Sequence, residues 1–184
     1  IEAVTGEAFL NLVDEMNMRL VKAAELLKTT PMELINKAQS SMNEIRELHQ
    51  TIERMKDKLF AGDVDSLMFS AKDVSGLKVV TASRENTDAN DLRKLGDFLR
   101  DKDPDTVAVL ATATESKVTF VAVCGKNAVA RGIRAGDLVR AVSAVTGGKG
   151  GGKPDSAMGG GSEVLKIDDA LAIVDDFVAE KLGL

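Results

Sequence analysis

The sequence predicts an α+β chain. An antiparallel, coiled-coil-like helical hairpin occupies 1–60, and a globular domain over 61–184 carries a roughly four-stranded sheet packed by helices. Three observations predict it. Apolar residues recur at alternating spacings of four and three through the first sixty positions; the texture then changes to short β-branched runs; and half of the sixteen glycines crowd into 147–161.

In the first helix Phe9, Val13, Met16, Leu20, Ala23 and Leu27 keep the four-three spacing. In the second, Leu34, Ala38, Ser41, Ile45, Leu48, Ile52, Met55 and Leu59 do so. Such a seam is narrow, as in coiled coils, rather than the broad stripe of a globular helix. Thr30-Pro31-Met32-Glu33 reads as a helix start of capping-box character, so the first helix stops near Lys28 and the second begins near Pro31. So short a break makes the pair antiparallel. The seam residues Ile45, Leu48, Ile52 and Met55 exceed what one short partner helix can cover, which predicts a homodimer through them.

Ala61-Gly62-Asp63 is expected to end the second helix. Strands are then predicted over Leu67–Val74 and Leu77–Ser83, joined at Ser75-Gly76, with a helix over Asp88–Lys102 presenting Leu92, Leu95, Phe98 and Leu99. Thr106–Thr114 and Lys117–Cys124 read as a hairpin. Their cores, Val107–Leu110 and Phe120–Val123, are almost unbroken apolar runs, as central strands covered on both faces require. Helices over Asn127–Val145 and Ile167–Leu182 complete the pattern, with a glycine-rich loop at 147–162 between them.

Net charge is −5, which by itself speaks against nucleic acid, but the distribution reverses that reading. From Lys117 to Lys153 seven basic residues face one acid, Asp137: a local +6, leaving −11 over the rest. A basic island in an acidic body can hold a phosphate backbone. With six Phe and neither Trp nor Tyr, base-stacking platforms are not expected. Clustered glycines in Gly147-Gly148-Lys149-Gly150-Gly151-Gly152-Lys153-Pro154-Asp155 let backbone N–H groups approach a ligand, and the two lysines supply charge. A Walker loop is excluded, because Pro154 follows the lysine where Ser or Thr is needed. Arg131, Arg134, Arg140, Lys149, Gly150, Gly151, Gly152 and Lys153 are therefore the expected contacts to a phosphate backbone, with Arg131 and Arg134 close together on one helix.

The same glycine-lysine segment, with its second cluster Gly159-Gly160-Gly161, resembles the C-terminal signature of alanyl-tRNA synthetases. The opening Ile1-Glu2-Ala3-Val4-Thr5-Gly6 resembles the stretch where the editing domain of those enzymes runs into the C-terminal region. Where the family usually has Met-Ala-Gln after Pro-Asp, this chain has Ser156-Ala157-Met158. The resemblance implies a helical hairpin and a nucleic-acid-binding domain related to the accessory domain of DHH phosphoesterases. It also implies dimerisation and a hold on the outer corner of alanine-specific tRNA, serving aminoacylation and editing. ATP, Mg and Zn would then belong to upstream synthetase and editing domains, with no cofactor in this chain. Opening on Ile1 rather than Met points the same way, to a piece of a longer protein.

No catalytic site is expected here. His49 lies beside the seam as a solvated helix histidine, and Cys124 ends an apolar strand as a buried thiol with no second His to act as base. A single cysteine suits a reducing, cytoplasmic setting, and no membrane-spanning run is present in the sequence. Two other readings stand beside the first: the accessory domain of a DHH-type phosphoesterase, and a purely oligomeric module with a structural glycine loop.

Overall fold

The computed structural model describes residues 5–85 and 87–184; Ile1–Val4 of the opening motif lie outside them. The chain divides into two units, one reaching Lys56 and the other running from Asp57 to Leu184. In the first, α1 spans Glu7–Leu26 and stops where Lys28 enters the left-handed region at φ 53°. Pro31–Glu33 form a turn, and α2 proper begins at Leu34, slightly later than the proline predicts. Among the described residues of this unit only Ala24 is buried; the seams are half-buried near the turn, at Ala23, Leu27, Leu34, Ala38 and Ser41, and exposed from Phe9 to Leu20 and from Ile45 to Met55.

The expected break at Ala61-Gly62-Asp63 does not occur. α2 runs to Phe69, 36 residues in all, so Leu67 is helical and the strand predicted from it shrinks to β1, Lys72–Val74. A glycine inside a helix costs only about 1 kcal/mol relative to alanine. Burial of Val64 and Leu67, with Phe60 and Met68 packed beside them, outweighs it.

The sheet of the second unit has six strands rather than four, in the order β1-β2-β3-β4-β6-β5. β1 turns into β2 (Leu77–Glu85) through Ser75 and Gly76, both at positive φ, a two-residue turn of the kind that matches strand twist. β2 pairs parallel with β3 (Thr106–Ala113), an arrangement that needs a crossover, supplied by α3 (Ala89–Lys102). Asp88 caps α3 by accepting from the N–H groups of Asn90 (2.7 Å) and Asp91 (2.9 Å). Replacing it with alanine is expected to cost about 1 kcal/mol in chemical denaturation.

β3 and β4 (Val118–Cys124) form the predicted hairpin at the sheet centre, buried on both faces. Alternation sends Val107, Val109, Phe120, Ala122 and Cys124 to one core and Ala108, Leu110, Val121 and Val123 to the other. α3 and the end of α2 contribute to the second core, where Leu92, Leu95 and Leu99 are buried while Phe98 stays 40% exposed. The first is covered by α5 (Ala135–Val145) and α6 (Ile167–Lys181).

Two expectations fail between β4 and α6. The single helix over 127–145 is instead α4 (Lys126–Ala130) and α5, because Gly132 takes φ 93° and Ile133 turns fully into the core. The glycine-rich loop is itself a hairpin, β5 (Lys149–Gly152) and β6 (Ser156–Gly161), with β6 laid against β4 and β5 at the sheet edge. A 3₁₀ turn over Val164–Lys166 leads into α6.

Candidate nucleic-acid interface

Glycine builds this site by close approach more than by flexibility. A Cβ on Gly150 would stand 2.2 Å from the Val139 Cγ1 of α5, and one on Gly159 only 2.5 Å from Ser143 Oγ. The hairpin is also stapled to α5 along its length. Ala135 N–H donates to Pro154 O (2.8 Å), Gly148 N–H to Ser143 O (2.8 Å), and Thr146 O accepts from Ser162 and Glu163. Only Gly151 of β5 has open space where a side chain would go. Ser156, Ala157 and Met158 prove to be strand residues: Ala157 is buried in the first core, and Met158 packs on the second.

Lys153 N–H donates to Ser156 O (2.9 Å), so the two form a hydrogen-bonded pair. Ladder alternation then turns the N–H and C=O groups of Gly150 and Gly152 away from β6, off the sheet edge. Beside that edge lies a shallow cleft of about 180 Å³ where Arg134, Arg140, Gly151, Gly152 and Lys153 meet, together with Asp137. Arg134 heads α5 and Lys153 follows β5. Arg134, Lys149 and Lys153 make no side-chain hydrogen bond or ion pair among the described residues. Arg140 does: Asp137, one turn earlier, holds its guanidinium.

Arg131 goes elsewhere. It closes α4 before Gly132, and its guanidinium donates to Ser75 O (2.8 Å) and Ser75 Oγ (3.4 Å) in the β1–β2 turn. The neighbourhood predicted from i, i+3 spacing on one helix therefore does not exist. Lys149 and Gly150 lie on β5 without lining the cleft. Ile45, Leu48, Ile52 and Met55 lie exposed on α2, in the other unit.

A larger cleft of about 570 Å³ sits at the end of β4, lined by Arg100, Asp101, Pro104, Cys124, Lys126, Val129 and Asp155. Sequence reasoning assigned nothing to Arg100 or Asp155, and Arg100 comes from α3, too far along the chain for spacing to reveal. Its guanidinium is fixed by Asp97 (2.9 Å) and Asp101 (3.1 Å), with Asp155 at 3.9 Å. Burial pushes the Cys124 thiol up to about 12, and the Asp155 and Asp137 carboxylates add to the rise. The group is a neutral wall rather than a nucleophile. His49 is exposed on α2. Among the described residues no three His, Cys, Asp or Glu side chains are grouped to hold a metal, and no helix is long and apolar enough to cross a membrane.

Among known proteins, the chain is 41% identical over 171 residues to an alanine–tRNA ligase of Acetivibrio thermocellus, covering 93% of this chain and 19% of that protein. It is 39% identical over 182 residues to the alanine–tRNA ligase of Cupriavidus necator, covering 99% of this chain and 21% of the relative. The chain thus spans about a fifth of the length of the curated relatives it matches. Its fold is similar to the C-Ala domain from Aquifex aeolicus alanyl-tRNA synthetase, with TM-score 0.56 and 26% identity over 60% of this chain and 98% of that one. The DHHA1 domain model matches residues 76–180, β2 through α6 and more than half of the sequence, and the chain therefore belongs to the DHHA1 domain family.

Proposed function

We propose that this chain is the tRNA-holding and dimerising module of an alanine–tRNA ligase, acting in the cytoplasm beside catalytic and editing domains elsewhere in the same protein. The observation that carries the RNA reading is the cleft beside β5. There Arg134 and Lys153, cations without acidic partners among the described residues, converge with Arg140 on a strand edge whose glycine N–H groups are turned outward. Backbone donors and cationic side chains together are what a phosphate backbone needs. Lys149 extends the same edge. Arg131 belongs to the surface only if RNA displaces Ser75 from its guanidinium. The similarity to alanine–tRNA ligases supports tRNA as the RNA. Dimerisation is assigned to the exposed seam Ile45, Leu48, Ile52 and Met55, within a helical region over 1–60 that precedes the globular domain.

The test is a binding titration of tRNA across salt concentrations. Lys149→Ala with Lys153→Ala should weaken binding to all RNA sequences alike and flatten the log–log salt slope by roughly 1.4–1.8 units, two contacts at 0.7–0.9 each. Unchanged affinity and slope would show that the RNA lies elsewhere. Sedimentation of the chain at ~100 μM, far above the micromolar range of such interfaces, should give a dimer; a monomer there removes the seam from the interface.

A further inference from the structure

The two clefts of the second unit share one turn. Lys153 and Pro154 line the basic cleft, while the next residue, Asp155, lines the larger one. At about 570 Å³ the larger cleft is in the usual size range of small-ligand sites. Its chemistry is also mixed in a specific way. Pro104, Cys124 and Val129 form an apolar wall, and the neutral thiol leaves that wall uncharged at any ordinary pH. Arg100 and Lys126 stand at the cleft as cations, Arg100 held in place by its carboxylates and Lys126 exposed and unpaired among the described residues. Asp101 and Asp155 supply acceptors. A carboxylate offers about four acceptor positions, and Arg100 uses few of them: 3.1 Å from Asp101 and only 3.9 Å from Asp155.

An apolar face edged by unfilled anionic acceptors suits a flat heterocycle with N–H donors on one edge. A nucleic-acid strand crossing the Lys153–Asp155 turn, with a phosphate in the basic cleft, carries such a ring on its next or preceding sugar. We propose that the Cys124 cleft receives an unstacked nucleobase with an exocyclic amino group (adenine, cytosine or guanine), from the strand whose phosphate the basic cleft holds. The proposal rests on the RNA reading above. It adds a base-selective element to a surface whose other contacts are sequence-blind. Uracil fits poorly, because carbonyl oxygens flank its single N–H and face the carboxylates.

Free nucleosides test the cleft apart from the phosphate surface. Cytidine, adenosine, guanosine and uridine are titrated against the full chain and followed by NMR at Val129 and Cys124. The three amino-bearing nucleosides should shift these signals saturably, uridine at least severalfold more weakly, and Lys149→Ala with Lys153→Ala should leave the shifts intact. Asp155→Asn and Asp101→Asn, at positions exposed enough to spare the fold, should each weaken nucleoside binding by roughly tenfold, the loss expected for a hydrogen bond to a charged group. On RNA the two ideas differ in sign. Removing Asp155's charge from a purely electrostatic surface tightens binding, whereas removing a base acceptor weakens binding to amino-bearing sequences while sparing oligouridine. No shift with any nucleoside, equal shifts with uridine, or tighter RNA binding by Asp155→Asn would each overturn the base cleft and leave the phosphate reading standing. Cleft shifts with nucleosides alongside an unaltered salt slope in the double lysine variant would sink the phosphate reading and the link between the two clefts, while the base cleft itself stands.

Discussion

Gly148→Ala is expected to destabilise the fold by about 3 kcal/mol or more, the upper end of the cost of forcing atoms into a packed site. The added Cβ would stand 1.7 Å from Gly160 O, and that neighbour is backbone, which cannot swing aside as a side chain would. Gly161→Ala meets Thr146 in the same way, at 2.1 Å from Oγ1 and 2.4 Å from the carbonyl oxygen. In urea the Gly148→Ala midpoint should fall by roughly 1–3 M, given slopes of 1–3 kcal/mol/M for small proteins. Gly151→Ala, in the same hairpin, has nothing within 4 Å and should melt within about 0.5 kcal/mol of the parent. A bulkier residue at Gly151 should keep that melting behaviour yet weaken RNA binding, since its side chain enters the basic cleft. If Gly148→Ala and Gly151→Ala melt alike, the hairpin is not packed as described.

Phe120→Ala should cost about 3–5 kcal/mol, the range for emptying a buried aromatic site. Phe120 is fully buried in the central strand, and its cross-strand partner on β6 is Gly159. The ring lies where a glycine leaves the sheet without side-chain cover, an arrangement known to rescue glycine in strands. Truncation therefore opens a cavity in the first core and strips cover from the glycine hairpin together. Phe98→Ala offers the comparison: that ring is 40% exposed and meets Phe60 in a tilted contact at 6.5 Å, so its loss should cost about 1 kcal/mol. Equilibrium denaturation of the two variants side by side checks the pair, and a Phe120→Ala loss no larger than Phe98→Ala would contradict the assigned core.

Where side chains face one environment, their order along the chain was enough. Val107–Leu110 and Phe120–Val123 announce a sheet centre because only strands covered on both faces keep apolar residues at every position. Asp88 announces the start of α3 because its carboxylate satisfies helix N–H groups within three residues of itself. These are local or periodic facts. Helix two outran its predicted end because the reward for continuing, burial of Val64 and Leu67 on the sheet, is tertiary and no helix propensity contains it.

The glycine segment was legible as something special but not as a hairpin. Glycine carries no hydropathy period, so nothing local distinguishes a loop from a strand pair; Val139 and Ser143 of α5 decide the matter by admitting only residues without a Cβ. The candidate site divides along the same line. Composition alone marked 117–153 as the basic stretch. Which cations meet was decided by the turn at Gly132, whose positive φ redirects the chain so that Arg131 reaches Ser75 while Arg134, three residues on, reaches Lys153's cleft. Spacing predicts neighbours only while a regular helix or strand persists. Past a left-handed residue, side-chain direction is set by the packing of Ile133 and α5, contacts that exist only once the sheet has formed.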